Sequence, residues 1–177
     1  MFKNSTNLKS ITNVSKKNHA KNIALIAIIT AIYATVTLVM SFSSYGLIQF
    51  RIAEGLTVLP YFSPYAIIGL FAGCILSNII SPMGLPDLIF GSLATLIAAI
   101  ITYYIGKSNL KYKKLLAPLP SVIVNAIVIG TMLKLLYVKD IPIYLAMLQV
   151  GIGQLICCYG IGIPILNIVE KNNLLKK

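Results

Sequence analysis

Arg51 and Glu54 stand three positions apart in the stretch IQFRIAEGLTVLPYFSP, residues 48–64, and the next charged residue along the chain is Asp87. Two carboxylates and one guanidinium in apolar surroundings can exchange protons, or can recognise a polar and even cationic ligand through charge-assisted hydrogen bonds. The i,i+3 spacing puts Arg51 and Glu54 on one face of a helix. Two readings of that face stay open: an interfacial ion pair with snorkelling stems, or a ligand site, because ionisable groups within apolar spans tend to line cavities.

Four amides accompany these charges inside apolar runs. Asn78, Asn125 and Gln149 fall at a depth similar to Asp87, whereas Gln154 is about a turn and a half deeper. A single such amide serves equally well as an interhelical hydrogen bond, so the signal is the convergence of several helices. The candidate substrate-binding set is therefore Arg51, Glu54, Asn78, Asp87, Asn125 and Gln149. Tyr45, Phe50, Phe90, Tyr137 and Tyr144 fall near the same boundary, either to stack on a flat heterocycle or as an interfacial belt.

Other chemistry has no residues to carry it. His19, the only histidine, lies among lysines, and no H-E-x-x-H, G-x-S-x-G or Cys/His ligand set occurs. No serine has a histidine base within the same half of the membrane. Without G-x-x-x-x-G-K-[ST] the chain has no P-loop of its own. The expectation is no catalytic residue, no metal, no cofactor and no enzymatic activity. Cys74, Cys157 and Cys158 lie in apolar runs and read as packing residues.

The elements that must position these groups follow from composition. Hydrophobic residues make up 58% of the 177 and charged residues 11%, and residues 22–50, 55–86, 88–106, 115–133 and 141–169 contain no Asp, Glu, Lys or Arg. A helix crosses the hydrocarbon with about 20 apolar residues, so the chain is an integral membrane protein with one membrane domain. Runs apolar on every face exclude the two-residue alternation of a barrel. The net charge of +11 is gathered into Lys3, Lys9, Lys16, Lys17 and Lys21, then Lys107, Lys111, Lys113 and Lys114, then Lys171, Lys176 and Lys177. That clustering follows the positive-inside rule and does not form a nucleic-acid stripe. The first apolar run is too long for a signal-peptide core and ends at no clear cleavage site, which predicts a retained helix.

Counting spans against the basic clusters predicts an all-α bundle of six transmembrane helices with cytoplasmic termini. The spans are residues 22–43, 47–61, 65–82, 87–106, 116–137 and 142–168, within a membrane domain over 22–170 flanked by basic segments 1–21 and 171–177. PYFSPY at 60–65 makes an inner turn and SPMGLP at 81–86 an outer one. Small residues mark close helix approach: Ala20/Ala24 and Ala27/Ala31 on the first helix, Gly69/Gly73 on the third. Such pairs serve packing within the bundle, or present a face to another membrane subunit.

The stretch at 48–64, followed by AIIGLFAGCILSNIISPMGLPDLIFGSLATLIAA at 66–99, resembles the QueT family of queuosine-precursor transporters, the substrate-binding (S) components of energy-coupling factor (ECF) transporters. The likeness runs from about residue 24 to 168. Ala53 and Gly55 stand where the family pattern has serine and alanine, while Gln49, Arg51 and Glu54 are in place. The resemblance implies an ECF S-component-like bundle in the plasma membrane that captures a 7-deazaguanine at its outer face: queuine, or its aminomethyl or cyano precursor. It implies partners as well: a transmembrane coupling subunit contacted through Ala27 and Ala31, with Ala20/Ala24 also open, and two ATPase subunits. In that setting Arg51 either orients Glu54 or donates to the ligand carbonyl, and either carboxylate can take the guanine-like edge. An S component for another vitamin or heterocycle is the neighbouring reading. A self-sufficient carrier would require an inverted repeat or a mid-membrane charge relay, and neither is visible.

Overall fold

The computed structural model describes residues 3–41, 50–172 and 175, and among these the chain is entirely helical. Tyr45, Gln49 and the first residues of the expected second span lie outside the described residues, as do Lys176 and Lys177. Helix α1 runs Lys3–Val39, so the basic segment leads from Lys3 into the first span as continuous helix. Among the described residues four stretches are long and apolar enough to cross a membrane: His19–Val39, Asp87–Lys107, Lys113–Leu136 and Ile143–Lys171.

The other two expected spans are shorter. The second is a 3-10 helix, α2 (Ile52–Tyr61), with Pro60 inside it; the third is α3 (Tyr65–Asn78), of 14 residues. At about 2.0 Å per residue in a 3-10 helix and 1.5 Å in an α-helix, each is only about 20 Å long, less than the ~30 Å hydrocarbon layer. They form a hairpin about the turn at Phe62–Pro64, where Phe62 N donates to Leu59 O and Ala66 N to Ser63 O. The hairpin brings Arg51 and Asn78, its two far ends, to one depth.

From Asn78 the chain turns through Ser81–Gly84, with Gly84 at φ +64° supplying the left-handed residue. It enters a wide π-type turn, Asp87–Gly91, that continues as α4 (Ser92–Lys107). A short helix α5 (Lys113–Leu116) precedes α6 (Leu119–Leu136), whose first turn carries Pro120, a position that needs no N–H donor. The expected last span, 142–168, is two helices, α7 (Ile143–Gly160) and α8 (Gly162–Lys171). Pro164 explains the break: it lacks an N–H and its ring opposes the carbonyl four residues back, at Gly160.

Packing depends on small residues. A Cβ at Gly73 would lie 2.9 Å from Tyr33 Cβ and 3.0 Å from Thr30 O, and one at Gly69 would lie 2.9 Å from Ile29 Cβ. Thr30 Oγ1 also donates to Gly69 O at 3.0 Å. The Gly69/Gly73 pair thus seats α3 on α1, as its spacing predicts. One core joins Ile29, Tyr33, Leu70 and Cys74 with Ala53, Leu59 and Ala99, and a second joins Ala94 with Ile129, Leu133 and Val150. The alanines at 20, 24, 27 and 31 face away from both, on the exposed side of α1 with Ile28 and Ile32.

Candidate functional site

The hairpin ends, the wide turn and α6 meet in a polar centre built on three charged side chains. Arg51 is 2% exposed, and Glu54 and Asp87 are fully buried. Leaving an ion unpaired at such burial costs several kcal/mol, so the partners of each decide what the centre can do.

Asp87 is the partner of Arg51. One guanidinium nitrogen, Nη2, donates to Asp87 Oδ1 at 2.9 Å and Oδ2 at 2.7 Å, and Ser81 Oγ donates to Oδ2 at 2.7 Å. Asn78 Nδ2 holds the turn itself by donating to Asp87 O at 3.0 Å. The wide turn makes this possible by redirecting the first residues of the fourth span inward, and Gly91 lets it close. A Cβ at Gly91 would come within 2.8 Å of Asn78 Nδ2 and 3.0 Å of Asp87 Oδ1.

Glu54 has a separate set of contacts. Tyr33 Oη donates to Oε1 at 2.5 Å, Thr95 Oγ1 to Oε1 at 3.2 Å and Asn125 Nδ2 to Oε2 at 3.3 Å. Three different helices, α1, α4 and α6, therefore aim donors at one carboxylate, which serves as acceptor throughout. Its backbone is tied down too. Thr57 Oγ1 donates to Glu54 O at 2.6 Å and itself accepts from Ser121 Oγ at 2.7 Å, while the Cys158 thiol lies 3.7 Å from Glu54 O and 3.5 Å from Gln154 Oε1.

The arrangement separates the expected residues by their partners. Arg51 is buried rather than snorkelling at an interface, and the 3-10 geometry of the segment with the inward turn at Asp87 gives it that carboxylate as its ion-pair partner. Gln149 is half-buried on α7 with no hydrogen bond to the centre among the described residues, and α7 reaches the centre a helical turn and more further on, through Cys158 beside Gln154. Arg51, Glu54, Asn78, Asp87 and Asn125 do come together.

Tyr33, Thr57, Ser81, Thr95 and Ser121 belong to the centre and are absent from the residues singled out by sequence. Hydroxyls are common in membrane helices, and the only signal was that Tyr33 shares a face of α1 with Ile29, opposite the alanines. Phe90, Tyr137 and Tyr144 are exposed, as a belt at the membrane boundary requires. Two buried oxygens, Asn78 Oδ1 and Ser92 Oγ, have no hydrogen-bond partner among the described residues. Ser92 follows Gly91 in the chain, and the Asn78 amide lies against Gly91. An apolar cleft of about 430 Å3 between the wide turn and α6, bordered by Phe90, Thr131, Met132 and Leu136, contributes no hydrogen bond to the centre.

A multi-pass helical membrane protein that encloses three charged side chains, Arg51, Glu54 and Asp87, in one buried polar centre has the build of a membrane transporter. The chain belongs to the QueT transporter family, whose model matches residues 23–171. It is similar to the queuosine precursor transporter QueT of Lactococcus lactis subsp. cremoris (strain MG1363), 39% identical over 84 residues. That match covers 46% of this chain and 49% of the relative, so it spans about half of the relative's length. No solved structure matches the chain.

Proposed function

We propose that the protein is the substrate-capture subunit of an ECF-type importer, binding a queuosine precursor of the 7-deazaguanine class at the outer side of a six-helix bundle with cytoplasmic termini. The observation that carries this reading is Glu54: a fully buried carboxylate, separate from the Arg51–Asp87 pair, on which three donors from three helices converge. A guanine-like edge offers N1–H and an exocyclic amine, two donors in the geometry a carboxylate accepts together. Such a ligand takes the place of donors that Glu54 already engages, so recognition is an exchange of partners rather than the filling of a bare charge.

The formal charges favour particular members of the class. One guanidinium and two carboxylates leave one negative charge in excess, which an aminomethyl or secondary ammonium substituent balances and a cyano group does not. Asn78 Oδ1 and Ser92 Oγ, buried without partners among the described residues, are acceptors suited to the ammonium hydrogens. Asp87, already satisfied by Arg51 and Ser81, holds the site together and leaves the base edge to Glu54. The exposed Ala27 and Ala31 on α1 suit a close approach by the coupling subunit, with two ATPase subunits supplying the energy.

Calorimetry on purified, detergent-solubilised protein tests the reading, comparing queuine, the aminomethyl and cyano precursors, guanine and riboflavin. The expected result is binding of the two cationic 7-deazaguanines without any partner subunit, at least tenfold tighter than guanine. Preference for riboflavin, or no discrimination between guanine and the 7-deazaguanines, would sink it. In proteoliposomes, uptake without ATPase subunits would favour a self-sufficient carrier.

A further inference from the structure

At the end of the bundle remote from the polar centre, the segment from the last turn of α4 to α5 carries Lys107, Lys111, Lys113 and Lys114. The chain has only four acidic side chains, and each is accounted for elsewhere. Glu54 and Asp87 are sealed in the centre. Asp140 follows the far end of α6, about 27 Å away along 18 helical residues. Glu170 is held by Lys114 at 2.5 Å. Among the described residues no acidic side chain is paired with Lys107, Lys111 or Lys113.

These lysines differ in what they do. Lys113 turns back to the end of α4, its Nζ 3.4 Å from Gly106 O and 3.3 Å from Ser108 O. Lys107 and Lys111 are exposed, and each ammonium lies over a tyrosine ring: Lys107 at 4.6 Å from the Tyr103 centroid, Lys111 at 5.5 Å from that of Tyr112. Between and beside them Leu110, Tyr112 and Leu115 are more than half exposed or close to it. A water-facing loop has no use for that apolar surface. At the level of lipid headgroups the same mixture is satisfied at once, with leucines and rings toward the acyl boundary and ammonium groups among phosphates.

We infer that the 107–114 segment is a docking surface for anionic phospholipid headgroups, with Lys107 and Lys111 as the phosphate-binding cations and Tyr103 and Tyr112 as the rings that hold them at headgroup depth. The exposed leucines favour a lipid surface over an acidic protein face. This inference is independent of which ligand occupies the centre.

The full chain reconstituted in phosphatidylcholine bilayers, with spin-labelled phosphatidylglycerol or phosphatidylcholine at trace level, reports the association of each lipid with the protein by electron paramagnetic resonance. Wild type should prefer the anionic label, by about five-fold for each engaged lysine at low salt, and high salt should erase the preference. The Lys107→Gln/Lys111→Gln double variant should lose about five-fold of it per lysine, the Lys107→Arg/Lys111→Arg variant should keep it, and Lys139→Gln at the opposite end should leave it unchanged. Equal association of both labels with wild type, or a preference undiminished in the double Gln variant, overturns the inference; an undiminished preference there with loss in the Lys139 variant would move the lipid site to the other face.

Discussion

Arg51 and Asp87, thirty-six residues apart in the chain, are joined through a single guanidinium nitrogen that reaches both carboxylate oxygens, at 2.9 and 2.7 Å. The pair locks the free end of the α2–α3 hairpin to the wide turn that opens α4. Removing one member of a buried pair strands the other and costs about 3–5 kcal/mol, whereas replacing both by apolar residues is often near neutral. Arg51→Met should therefore lower the thermal unfolding midpoint of the solubilised protein sharply, and Arg51→Met/Asp87→Leu should recover most of that loss. A double variant no more stable than the single one would show that the pair is not the unit of stability.

Glu54 is expected to separate from that pair in its effect on binding. In Glu54→Gln one side-chain oxygen still accepts from Tyr33 and Thr95, but the new amide nitrogen meets the Asn125 amide donor to donor. The stability loss should stay near 1–3 kcal/mol, the cost of an unsatisfied buried group. Ligand affinity should fall about ten- to a hundredfold, the value of hydrogen bonds to a charged acceptor, as read by calorimetry. Unchanged affinity would remove Glu54 from the site.

Tyr33→Phe deletes one donor to Glu54 and leaves the ring packed among Ile29, Leu70 and Cys74. A loss of about 1 kcal/mol is expected from the missing hydrogen bond, measured by denaturation. Ligand affinity should rise with it, because Oε1 of Glu54 then keeps only the Thr95 donor and has acceptor capacity for the incoming base. Denaturation and calorimetry that both match wild type would mean that the contact between α1 and Glu54 is idle.

The helix contacts give a contrast between two glycines. Gly73→Ala introduces a methyl group 2.9 Å from Tyr33 Cβ and 3.0 Å from the Thr30 carbonyl, so α1 and α3 must part. Overpacking of this kind costs about 1–3 kcal/mol. Gly160→Ala has nothing within 4 Å of the new carbon and should be neutral or slightly stabilising. Equal unfolding midpoints for the two variants would refute the close approach of α1 and α3.

Ala31→Trp places a large ring on the outward side of α1, away from both cores. Ligand binding by the isolated protein should be unaffected, while on the proposed ECF reading uptake in proteoliposomes that also hold a coupling subunit and ATPase subunits should fall at least tenfold. Full uptake would exclude this face as the docking surface.

Much of the architecture was legible because a bilayer imposes length and polarity on each span. The apolar runs, the basic clusters and the turns at PYFSPY and SPMGLP determine a multi-pass helical protein, and the Gly69/Gly73 spacing identifies a real contact. The charged residues themselves were conspicuous, since Arg51, Glu54 and Asp87 interrupt otherwise neutral sequence.

Partnership was decided only in three dimensions. By spacing, Arg51 belongs to Glu54; in the fold it belongs to Asp87, because a 3-10 segment and a π-type turn, neither with a distinctive hydrophobic period, set the angles at which those side chains project. Depth along a helix estimates how far a residue lies from the surface but not which way it faces, so Asn125 and Gln149 were equivalent in sequence and only Asn125 points at Glu54. Tyr33, Thr95 and Ser81 could not be distinguished from other hydroxyls until the helices bearing them converged. The sequence by itself determined which groups must be kept from lipid; the tertiary structure decided which of them meet, because hydrogen bonds extend only about 3 Å and depend on rotations that hydropathy does not encode.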